Sequence, residues 1–128
     1  DIAGPEPGSY AWGDLDAIVS DVAANNQHLL ISIVKSPSFY NQTNGLPTDS
    51  VTIVNFVEAM MQRYGNKITA VEIWNEQNLA VENGGRVTVE DAGRYVDLLV
   101  ECYKRIKAIS PETAVLAGAP SSLSLINI

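Results

Sequence analysis

Residues 71–78 read Val71-Glu72-Ile73-Trp74-Asn75-Glu76-Gln77-Asn78, an apolar stretch that runs directly into a polar pair. A carboxyl whose backbone is fixed by a strand, with a neutral amide beside it, suits a positioned general acid/base. A glycosidic bond calls for such a group: it breaks through an oxocarbenium-like state when one carboxylic acid protonates the departing oxygen and a second carboxylate lies across the sugar. Glu76 is the candidate acid. Asn75 would hydrogen-bond a hydroxyl next to the reacting carbon, Trp74 would supply an apolar wall, and Asn78 completes the polar cluster. Most surface Glu residues are simply solvated carboxylates. The setting of Glu76, after an apolar strand and before a long loop, favours the catalytic assignment. Glu72 reads instead as a charge at the strand edge or paired with a helix.

The elements that must hold this segment follow from periodicity. Leu15, Ile18, Val19 and Val22 recur at helical spacing, and Asn25-Asn26-Gln27 ends the run. Leu29-Leu30-Ile31-Ser32-Ile33-Val34 has the β-branched, nearly continuous apolar character of a strand buried on both faces. Thr48, Asp49 or Ser50 can cap a second helix, with Ile53, Phe56, Val57, Met60 and Tyr64 on one face and Gly65 as its stop. Residues 68–74 form the second strand. Thr88 and Asp91 make a weak capping box for a third helix whose stripe is Ala92, Tyr95, Val96, Leu99, Cys102, Tyr103 and Ile106. Ala114-Val115-Leu116-Ala117-Gly118 is the third strand.

Strands thus begin about forty residues apart, one β/α unit each. Connections leaving the strands (36–47 and 77–87) are long and those returning to them are short, which gathers function at the C-terminal strand ends. The expected fold is α/β: parallel β/α units forming part of a TIM (β/α)8 barrel, with residues 1–128 as one partial domain. Asp1-Ile2-Ala3-Gly4-Pro5 reads as the tail of a preceding strand, and residues 121–128 lead toward a further helix.

Composition narrows the function. With 46% hydrophobic and 18% charged residues the 128-residue chain reads as one globular, soluble domain. A net charge of −7, with eight scattered Lys and Arg, argues against a nucleic-acid partner. No apolar run is long enough for a bilayer, and no secretory signal opens the chain. Cys102 forbids an internal disulfide and falls on a helical stripe, so it reads as a small core residue. His28 reads as a structural surface residue. No Cys/His cluster has metal spacing, no phosphate loop appears, and no cofactor is expected. Trp12, Phe39 and Tyr40 near the strand ends could stack on sugar faces or equally anchor the loops. Lys35 and Asn41 are weaker ligand candidates, and Asn41-Gln42-Thr43 fits a glycosylation acceptor pattern.

Residues 71–78 resemble the fourth-strand motif of clan A glycoside hydrolases, the retaining (β/α)8-barrel enzymes that include families 5 and 39, in which Trp-Asn-Glu-Pro-Asn is common. The resemblance runs on through Pro7-Gly8-Ser9-Tyr10-Ala11-Trp12 after strand two, Ser36-Pro37 at the end of strand three and Ala117-Gly118-Ala119-Pro120 at strand five. It implies that the chain spans about strands three to five, that Glu76 is the acid/base and Asn75 its neighbouring asparagine, that the substrate is an oligo- or polysaccharide, and that the setting is extracellular. Two departures stand out. Gln77 replaces the usual proline, and no residue matches the nucleophile expected on strand seven, so the 128 residues alone are expected to be nearly inactive. A noncatalytic carbohydrate-binding or assembly module on the same scaffold is the alternative. A three-stranded parallel sheet with helices on one face also exposes its other face and both edges, which predicts a homo-oligomer or a complementing barrel segment.

Overall fold

The computed structural model describes residues 2–42, 44–85 and 87–122. Its elements are α1 (Gly13–Ala24), β1 (Leu30–Ile33), α2 (Val51–Tyr64), a 3-10 turn (Gly65–Lys67), β2 (Ala70–Ile73), α3 (Val89–Ile109) and β3 (Ala114–Ala117). The strands form one parallel sheet in the order β1-β2-β3, with Leu30, Ala70 and Ala114 in register. Ile31, Ile33, Val71, Ile73 and Val115 point to the helical side and pack into the core. Val57, Met60 and Met61 of α2 and Cys102 and Ile106 of α3 are fully buried there.

β1 is not covered on both faces as its apolar run suggested. Leu30 is exposed on the side opposite the helices, as is Leu116 of β3. Ser32 and Glu72 lie in register with Leu116 and give this face a polar centre. Residues 2–4 do not extend the sheet either: Ala3 bridges Tyr10 in antiparallel fashion, so the segment folds back on itself. Of the stretch read as leading to a further helix, residues 123–128 lie outside the described ones.

The helix limits follow local chemistry. Asp14 and Asp16 occupy the first turn of α1 and complement its dipole. Asn26 takes a positive φ of 52° just past its end, a conformation that asparagine tolerates better than most residues. At α3 the capping box is complete: the Thr88 hydroxyl accepts from the Asp91 N–H at 3.2 Å, and the Asp91 carboxylate accepts from the Thr88 N–H at 2.7 Å. Arg94 beside the Asp91 carboxyl, with the Thr88 bonds adding to it, holds that carboxyl below its ordinary range. Thr88→Ala should therefore lower unfolding free energy by about 1 kcal/mol, read as a shift of the urea midpoint; an unchanged midpoint would remove the cap from the account.

The buried line of α3 differs from the expected stripe. It runs Asp91, Tyr95, Leu98, Cys102, Ile106, whereas Val96 is 54% and Tyr103 52% exposed, and Ala92 is exposed. Apolar residues occupy two adjoining faces of this helix, so spacing alone did not choose between them. The capped Asp91 turns the polar side of the first turn inward.

Candidate active site

The chain leaves β2 through an uncommon backbone path. Trp74 and Glu76 both have positive φ, 67° and 47°, a region that bulky side chains rarely enter and that recurs at active sites. The path is held from several directions. The Trp74 N–H donates to the Ile33 carbonyl at 2.9 Å, its indole Nε1 donates to the Glu82 carbonyl at 3.0 Å, and the Glu76 N–H donates to the Ala119 carbonyl at 3.0 Å. Gln77 Nε2 donates to the Gly118 carbonyl at 2.9 Å, so the residue in the expected proline's place stiffens the loop by a hydrogen bond instead of a ring. Asn78 closes a reciprocal pair with Ser121, Nδ2 to the carbonyl at 3.0 Å and Oδ1 from the N–H at 2.8 Å.

Between these tied neighbours stand Asn75 and Glu76, both partly buried. Among the described residues neither side chain has a hydrogen-bond or ion-pair partner. A fixed backbone carrying an uncommitted carboxyl and amide is the arrangement an acid/base centre needs.

Gly118 makes the path possible. A Cβ there would lie 2.5 Å from the Trp74 carbonyl oxygen and 2.7 Å from its carbon. Backbone atoms cannot swing aside as a flexible side chain can, so Gly118→Ala should cost about 1–3 kcal/mol in a urea titration and move the Asn75 and Glu76 amide resonances. Wild-type stability and an unmoved loop would contradict that close approach.

The other candidates are dispersed. Trp74 is fully buried and presents no surface to a ligand in this chain. Asn78 is committed to Ser121, as described. Phe39 and Tyr40 meet edge to face at 4.7 Å and line a cleft of about 300 Å³ between residues 2–10 and β1. Asn75 and Glu76 do not line that cleft. Trp12 joins an aromatic cluster with Tyr10, Phe56 and Tyr64, its ring stacked on Phe56 at 5.7 Å, and Arg63 lies over it. The Arg63 guanidinium also binds both Asp16 oxygens at 2.7 Å and holds that carboxyl down to about 2, joining α1 to α2.

Lys35 is paired with Glu82, and Asn41 donates to the Leu46 carbonyl at 3.1 Å. Thr43, the third residue of the acceptor pattern, lies outside the described residues. Glu72 accepts from the Ser32 hydroxyl across the β1–β2 pair instead of pairing with a helix. His28 is exposed, with Nδ1 3.3 Å from the Thr69 hydroxyl. Burial pushes the Cys102 thiol up to about 12, which leaves it an inert core group. Among the described residues no His, Cys, Asp or Glu group could hold a metal ion, and no helix is long and apolar enough to cross a membrane.

Two residues that shape the site escaped the sequence reading. Gly118 was visible only as a glycine closing a strand, and Tyr95 only as a core aromatic. The Tyr95 hydroxyl donates to the Ile73 carbonyl at 2.8 Å and accepts from the Gly118 N–H at 2.7 Å, where β2 and β3 part.

No protein-family model matches the chain. Among solved structures, it is similar to a family 39 glycoside hydrolase from the gut symbiont Bacteroides cellulosilyticus WH2, with a TM-score of 0.71 and 22% identity over 91% of this chain and 24% of that one. It is also similar to a psychrophilic family 10 endo-β-1,4-xylanase, with a TM-score of 0.60 and 17% identity over 88% of this chain and 40% of that one. The chain therefore spans about a quarter of the first structure and two fifths of the second. Its three parallel β/α units have the fold of part of the TIM barrel on which these glycoside hydrolases are built.

Proposed function

We propose that this chain carries the acid/base side of a glycoside hydrolase centre, with Glu76 protonating the departing glycosidic oxygen and Asn75 binding the neighbouring sugar hydroxyl. One observation carries the reading: at the C-terminal end of the central strand, on a backbone tied on both sides, these two polar side chains alone in residues 74–78 have no partner among the described residues. The barrel scaffold shared with glycoside hydrolases supports it. The substrate class is a β-linked oligo- or polysaccharide, for which β-1,4-xylo-oligosaccharides are the first probe. Phe39 and Tyr40, on the neighbouring loop after β1, would meet more distant sugar units. A retaining route needs a second carboxylate about 5–5.5 Å from the first, and no residue here matches the motif that would supply it.

That gap defines the experiment. Azide in excess can take the place of the absent nucleophile: it attacks C1, the C1–O bond breaks, and the proton from Glu76 goes to the leaving oxygen. Azide-dependent release of glycosyl azide, followed by proton NMR of the anomeric signal, is the expected result. Saccharide binding with no azide-dependent product would favour the noncatalytic binding module and overturn the catalytic assignment.

We also propose that the chain associates with a second copy or with a complementing barrel segment. Exposed Leu30 and Leu116 on the sheet, Val34 just past β1, and Val96, Val100 and Tyr103 on α3 support this, because parallel sheets are ordinarily covered on both faces. Sedimentation velocity at tens of micromolar should show species larger than the monomer; a single 13.8 kDa species would contradict it.

A further inference from the structure

We infer that the Tyr95 hydroxyl is the positioning group for Glu76: by fixing the peptide plane between Ile73 and Trp74, it sets the direction in which the chain leaves β2. The inference rests on the reading of Glu76 as the proton donor.

The geometry is local and complete. The peptide between Ile73 and Trp74 is bonded at both ends. Its N–H reaches the Ile33 carbonyl at 2.9 Å, and its carbonyl accepts from Tyr95 at 2.8 Å and from the Gly118 N–H at 3.1 Å. With that plane immobile, the positive φ of Trp74 swings the next peptide toward Gly118, the one strand-exit residue without a Cβ in the way. Glu76 is then caught by the Ala119 carbonyl at 3.0 Å. A left-handed conformation is strained for a residue as bulky as tryptophan, so the turn persists only where its surroundings impose it. Tyr95 is buried, and burial pushes its phenol above the ordinary pKa, so the hydroxyl stays protonated and donates. The ordinary end of a parallel ladder has no such side-chain hydroxyl between its strands. Here one arrives from α3, twenty-two residues along the chain from the peptide it holds.

The test is Tyr95→Phe in the 128-residue chain, which keeps the ring and removes only the hydroxyl. Amide exchange at Gly118 and Glu76 should accelerate roughly tenfold, the size of one lost hydrogen bond, while Val57 and Met60 of α2 exchange as before. The Asn75 and Glu76 amide resonances should move as well. Uniform acceleration across α2, or unmoved Asn75 and Glu76 signals, would reduce Tyr95 to an ordinary core residue and overturn the inference. Should the phenylalanine variant fail to fold, 3-fluorotyrosine introduced at position 95 keeps the bond and makes the phenol more acidic. It should then shift the Gly118 and Glu76 amide protons together, and a shift at neither would overturn the inference equally. None of these readouts needs a substrate, so a moved Glu76 in a chain that cleaves nothing upholds the positioning role and removes the catalytic one.

Discussion

Glu76→Gln is expected to slow azide-dependent cleavage of an unactivated oligosaccharide by about 10²–10⁴-fold, the usual contribution of a positioned general acid. The same variant should leave a dinitrophenyl glycoside within about tenfold of wild type. The contrast follows from the leaving groups. An alkoxide is too basic to depart without a proton, whereas a dinitrophenolate departs unaided, so only the first reaction asks anything of the carboxyl. Glutamine preserves the shape of the side chain, and since the Glu76 carboxylate has no protein partner among the described residues, the substitution leaves no orphaned group behind. Equal losses on both substrates would mean that position 76 binds sugar without donating a proton. Equal retention would remove it from the chemistry.

Trp74→Ala should lower the unfolding free energy by about 3–5 kcal/mol, as for other large aromatics deleted from a packed core. Trp74 is fully buried, and its indole donates to the Glu82 carbonyl at 3.0 Å, anchoring the loop that follows β2. Trp74→Phe separates the two contributions. It keeps most of the packing, and the Glu82 carbonyl still accepts from the Leu46 N–H at 2.9 Å, so no buried acceptor is left bare. Its cost should be nearer 1 kcal/mol. Urea titrations followed by circular dichroism give both numbers. A near-neutral alanine variant would show that the strand exit is not built on this side chain.

Strands, helices and their order were legible because each is written in its own period. Ile31 and Ile33, or Val71 and Ile73, could hardly sit anywhere but against a helical layer, and the long loops at one end followed from counting. The capping box at Thr88 and Asp91 was legible for the same reason, being local. What escaped was everything set by two adjoining choices or by distant partners. The α3 face was ambiguous because Val96 and Tyr103 are as apolar as the buried residues beside them. Trp74 was read as an apolar wall for the sugar from its place at a strand end, yet it lies wholly in the core; Trp12, left open between stacking on sugar and anchoring the loops, is taken up by Tyr10, Phe56 and Tyr64. The left-handed path through Trp74 and Glu76 had no sequence signature, because no glycine or asparagine marks either position. It is imposed by Gly118 and Tyr95, whose part appears only once β2 and β3 lie side by side.

The most direct measurement follows the carboxyl carbons of the glutamates by NMR while β-1,4-xylo-oligosaccharides and other β-linked oligosaccharides are added. If Glu76 stands at the sugar-binding mouth, its signal and the Asn75 side-chain amide will move together and saturate with at least one of these ligands, while Glu58 and Glu112 stay still. Saturable binding that leaves Glu76 and Asn75 unmoved, or no binding by any of the saccharides, would contradict the account.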